Sequence, residues 1–104
     1  MAWLYLVTAG LLEIGWAVGL KYTDGFSRLW PSVGTLMAMT LSFWCLALSL
    51  RAIPIGTGYA VWTGIGATGT AILGMLLFEE SSDLQRVVSI GAIVAGIVGL
   101  KLAS

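Results

Sequence analysis

The sequence predicts an all-α integral membrane protein with four transmembrane helices, and three observations carry that prediction. Apolar residues make up 59% of the chain and charged residues only 10%, too little polar material to cover a soluble domain of this size. The mean hydropathy is +0.99, far above that of soluble proteins. The apolar residues fall into four runs, each near the ~20 residues a helix needs to cross a ~30 Å hydrocarbon core.

The first run covers about residues 3–20. It carries Glu13 where a signal peptide would need an unbroken apolar stretch, and it lacks a basic leader, so it reads as a spanning helix. The second covers about 30–50 and opens at Pro31, whose missing N–H costs nothing in a first turn. The third covers about 55–78 behind Pro54. The fourth covers about 84–102, with Ser82 and Gln85 spaced as a capping box at its start. Trp3, Tyr5, Tyr22, Phe26 and Trp30 cluster near the segment ends, as interfacial anchors do. The connections are short and polar, so residues 1–104 are expected to form a single four-helix domain.

Composition also narrows the chemistry. The formal net charge is zero, which gives no reason to expect a nucleic-acid partner. Histidine and asparagine are absent, which removes imidazole catalysis, histidine metal sites and N-glycosylation. Cys45 is the one cysteine and cannot form an internal disulfide. The run Gly64, Gly66, Gly69 formally matches a dinucleotide fingerprint, but no strand precedes it, so its glycines are read as close-packing or bending positions. No cofactor, metal or enzymatic activity is expected.

Orientation is weakly specified. With four crossings, Lys21, Arg28 and Arg86 lie on one side and Arg51 and Lys101 on the other. Three basic residues against two barely bias insertion; the plainer alternative is one orientation set by weak signals, and the chain is expected to insert both ways.

Glu13 carries the chemistry. It lies about 15 Å along its helix from Trp3, near the bilayer midplane. A charge at that depth costs at least a few kcal/mol and usually marks a functional cavity. No Lys or Arg sits at matching depth in any run. An unpartnered carboxyl there either keeps a proton or draws a mobile cation, the logic of a site where the two compete. The plainer alternative is a protonated side chain that hydrogen bonds between helices. Leu6, Ala9, Gly10, Glu13, Trp16 and Ala17 share one helix face. Trp16, one turn from the carboxylate, is too deep for an interfacial anchor. Tyr59, Trp62 and Gly66 repeat the pattern on the third helix, and Ser42 lies midway along the second. Together they offer aromatic faces to a cation and O–H and N–H donors to a carboxylate. Trp30 and Trp44 are read instead as packing residues. Gly91, Ala95 and Gly99 form a stripe of small residues on the fourth helix, suited to close helix approach.

These residues resemble the small multidrug resistance transporters along essentially the whole chain. The resemblance rests on Glu13, on Leu29-Trp30-Pro31-Ser32-Val33-Gly34, on Ser42-Phe43-Trp44 and on Tyr59-Ala60-Val61-Trp62-Thr63-Gly64-Ile65-Gly66. It implies an antiparallel, dual-topology homodimer in the bacterial inner membrane. Both copies of Glu13 would line one central site, and the fourth helices would hold the dimer together. It also implies proton-coupled antiport of small organic cations by alternating access. Gly10, Trp16 and Lys101 resemble the guanidinium-exporting subtype more than the quaternary-ammonium exporters, which remain the alternative. Guanidinium is planar, its N–H donors match a carboxylate in bidentate fashion, and Trp16 would narrow the pocket toward flat cations. In that subtype Ser42, Tyr59 and Trp62 would bind substrate or orient the carboxylates. Lys101 has no role legible in the sequence beyond snorkelling to the interface.

Overall fold

The computed structural model describes residues 1–103; Ser104, counted in the single domain expected from sequence, lies outside the described residues. Four helices follow one another: α1 (Ala2–Tyr22), α2 (Leu29–Ser49), α3 (Ile55–Leu77) and α4 (Leu84–Ala103). All four are long and apolar enough to cross a membrane, and no strand is present among the described residues.

α1 packs along both α2 and α3, whereas α4 packs along α3 alone. The molecule measures 41 × 35 × 16 Å. α2 and α3 also touch directly, through Ser42, Phe43 and Trp62, so α1, α2 and α3 pack on one another while α4 flanks α3. In lipid the hydrophobic effect does not drive helices together, and small residues and hydroxyls do the packing. Most buried positions follow that rule, Ala9 and Gly10 on α1, Ser32, Thr35, Ser42 and Ser49 on α2, Gly58, Gly66 and Gly74 on α3, with Leu6, Leu46, Val61 and Trp62 as the larger buried side chains. Ile65 lies against Gly10, and Ile14 against Gly69, which fixes α1 and α3 in parallel register. α4 has no buried residue at all.

Two expectations about element ends and packing are corrected. The start of α4 is capped by Asp83, whose Oδ1 accepts the backbone N–H of Arg86 at 2.9 Å, and not by a Ser82–Gln85 box. A carboxylate one residue further on meets both the orphan N–H groups and the positive end of the helix dipole better than a hydroxyl does. Trp30 and Trp44 do not pack within the chain: they are 79% and 63% exposed on the face of α2 turned away from α1. Lys101 gains a contact that the sequence did not show, with its Nζ 4.6 Å from the centre of the Trp3 ring.

Candidate functional site

Glu13 emerges from the middle of α1 toward α3. It fits there because Gly66 has no side chain: a Cβ at that position would collide with the Glu13 carboxyl group. The carboxylate is half-buried, and its Oε1 is buried with no hydrogen-bond partner. The one salt bridge among the described residues, Arg86 to Glu80, lies outside the spanning helices' midsection. Glu13 is therefore an acceptor without a protein cation, held at a glycine.

An aromatic chain crosses the three packed helices nearby. The ring of Trp16 on α1 lies 6.2 Å from Phe43 on α2, Phe43 lies 5.4 Å from Trp62 on α3, and Trp62 lies 5.5 Å from Tyr59. The interplanar angles of 48° to 56° are tilted arrangements, between parallel stacking and a perpendicular edge-to-face contact. Phe43 was not picked out by sequence as a site residue. Its signal is its place between Ser42 and Trp44.

Ser42 and Trp62 are organised by each other. The indole N–H of Trp62 donates to Ser42 Oγ at 3.0 Å, and the Ser42 hydroxyl donates to the Ala9 carbonyl at 2.7 Å. Both donors are thereby engaged with partners other than Glu13. Tyr59 is 56% exposed, with its phenol at the open edge of the cluster. The indole N–H of Trp16 is buried without a hydrogen-bond partner, as is Glu13 Oε1. Gly10 is buried under Ile65 and lets α1 and α3 approach at the level just before Glu13. The structure thus brings Glu13, Trp16, Ser42, Trp62 and Tyr59 to one region of the α1–α2–α3 group. It leaves Gly91 and Gly99 elsewhere, on the outer face of α4, with nothing within 4 Å of where a Cβ would stand. Ala95 is exposed on the same helix.

Four helices long and apolar enough to cross a membrane, with one partnerless carboxylate in their midst, fit the class of membrane transporters. Comparison with known proteins gives the family. A model of the family described as Small Multidrug Resistance protein matches residues 1–93, and the chain belongs to that family. It is 62% identical over 104 residues to a guanidinium exporter of Yersinia pseudotuberculosis, with both chains fully covered. It is 57% identical to guanidinium exporters of Proteus vulgaris, with both chains fully covered, and of Salmonella typhimurium, with 100% of this chain and 99% of the relative covered. The chain is a multi-pass protein of the bacterial inner membrane.

Proposed function

We propose that this protein exports guanidinium and small guanidinyl cations in exchange for protons, by alternating access, with proton and cation competing for Glu13. The observation that carries this reading is Glu13 itself, half-buried against Gly66 with an unpartnered Oε1. Such a carboxyl is complete only when it holds a proton or a cation. The relatives' names as guanidinium exporters support the choice of cargo. So does chemistry: a planar guanidinium pairs with carboxylate oxygens in parallel hydrogen bonds and stacks on indole faces. Trp16 is the wall beside the carboxylate, and Gly10, Ser42, Tyr59 and Trp62 bind or position around it. The Ser42–Trp62 bond fixes the Trp62 ring.

The working unit is an antiparallel homodimer of single-domain, four-helix chains. Two observations support it. α4 buries none of its residues within the chain and carries the small-residue stripe Gly91, Ala95, Gly99 on an open face. The basic residues split three against two across the membrane, which permits both insertions. In that dimer two Glu13 carboxylates share one central site. Occupancy by cargo excludes protons, and each ligand carries the site across for the other.

Purified protein in liposomes tests the reading. An imposed proton gradient is expected to drive uptake of labelled guanidinium against its concentration gradient, with little uptake of a tetraalkylammonium control. Driven tetraalkylammonium uptake without guanidinium uptake would assign the chain to the quaternary-ammonium exporters instead.

A further inference from the structure

A second carboxylate rests on α3 in the same manner as Glu13. Gly74 lies about two turns beyond Gly66, and the Glu80 carboxylate packs on it, so that a Cβ at Gly74 would stand 2.6 Å from Glu80 Oε1. Glu79 makes this possible. Its left-handed backbone, φ 55°, turns the chain back after α3, and the Glu80 N–H reaches the Gly74 carbonyl at 3.2 Å.

Glu80 does not face open water alone. It borders a cavity of roughly 340 Å³ whose walls include Ala17, Ala67, Thr70, Phe78 and Arg86. Ala17 is one turn past Glu13, and Ala67 adjoins Gly66, so the inner end of the cavity lies one turn from the Glu13 site. Its outer end is at the loop that joins α3 to α4. The cavity thus runs from about one turn beyond Glu13 toward that membrane surface.

Inside it, Arg86 Nη2 donates to Glu80 Oε1 at 2.6 Å. Arg86 is thus a tethered guanidinium, the same chemical group as the proposed cargo, sitting on a carboxylate in the cavity. It is held loosely. Only one nitrogen is bonded, the buried Nε has no partner, and the two side chains are 33% and 46% exposed. A half-exposed, single-point ion pair of this kind contributes little and exchanges readily. The remaining charge in the cavity is Lys21, whose Nζ lies 5.2 Å from the centre of the Phe78 ring rather than on Glu80. Thr70 adds a neutral hydroxyl with a buried, unbonded oxygen.

We propose that this cavity is the route of cargo between Glu13 and the membrane surface, that Glu80 is a second binding site for guanidinium cations at its surface end, and that Arg86 is the resident occupant, displaced as cargo passes. This rests on the guanidinium reading of the Glu13 site, and the test separates the two. Glutamate side-chain carboxyls of the full-length protein are labelled with 13C, and guanidinium chloride is titrated, with tetramethylammonium chloride as the ionic-strength control. Glu13→Gln removes the deep site, and Glu79, next in sequence and outside the ion pair, is the internal reference.

In Glu13→Gln the Glu80 signal is expected to shift saturably with guanidinium and not with tetramethylammonium. In Glu13→Gln with Arg86→Gln, the midpoint is expected to fall by roughly two- to fivefold, because the resident competitor is gone. A Glu80 signal that moves no more than that of Glu79, or a midpoint unchanged by loss of Arg86, overturns the second site. If Arg86→Gln does not assemble, the shift in Glu13→Gln alone decides. Failure of the underlying reading is seen separately, as a Glu13 signal in the unsubstituted protein that ignores guanidinium.

Discussion

Ser42 Oγ accepts the indole N–H of Trp62 at 3.0 Å and donates its own O–H to the Ala9 carbonyl at 2.7 Å, so one fully buried serine links three helices. Ser42→Ala removes both bonds and strands a buried indole N–H. Interhelical hydrogen bonds in membranes average about 0.6 kcal/mol, and an orphaned buried donor adds to that, so a loss of about 1–2 kcal/mol is expected. Reversible unfolding in detergent measures it. Guanidinium affinity should weaken at the same time, because the Trp62 ring is no longer fixed.

Gly66 is the seat of the Glu13 carboxylate, and Gly66→Ala places a methyl group where that carboxyl stands. The side chain must swing away or α1 must separate from α3. We expect guanidinium affinity to drop by roughly tenfold or more, about 1.4 kcal/mol or above, in a binding titration. Gly56→Ala is the control: its methyl group enters open space, and binding should be unchanged.

Trp16→Gly removes the aromatic wall beside the carboxylate and the start of the Trp16–Phe43–Trp62–Tyr59 chain. Guanidinium transport should weaken by about 1–2 kcal/mol of lost cation–π and packing contact. Bulkier ammonium cations should gain entry. Competition of tetraalkylammonium ions for guanidinium flux reads both effects. Unchanged selectivity would make Trp16 a packing residue.

Dual insertion predicts that a single engineered cysteine in the loop before Asp83 is labelled from each face of the membrane in about half of the molecules. Adding two lysines to that loop should bias the population to one orientation and lower transport. Coexpression with an oppositely biased chain should restore it. Labelling from one face alone would contradict the antiparallel dimer.

Much of the architecture is legible in composition. Four apolar runs in a chain with few charges have no other use than four spanning helices, and those helices are present. The inward face of α1 is also legible, because Leu6, Ala9, Gly10 and Glu13 recur at helical spacing. The inward face of α2 is less so. Its helix is apolar all round, so hydropathy does not tell that Trp30 and Trp44 point outward while Ser42 and Ser49 point in. In lipid a large apolar side chain is at ease outside, and small hydroxyl residues pack where helices touch. Side-chain partners across helices are beyond sequence spacing altogether. The Ser42–Trp62 bond, the place of Phe43 in the aromatic chain and the seating of Glu13 and Glu80 on glycines of α3 depend on register between helices.

Competition between proton and cargo for Glu13 is the central claim, and guanidinium binding as a function of pH tests it most directly. In the unsubstituted protein, apparent affinity should weaken as pH is lowered from about 9 to about 5, approaching a tenfold loss per pH unit for each proton displaced. Glu13→Gln is neutral at every pH and close in shape. It should lose this binding at the deep site and the pH dependence together while the dimer stays assembled. Affinity that is flat across that range, or pH-dependent high-affinity binding that survives in Glu13→Gln, would contradict proton-coupled antiport at Glu13.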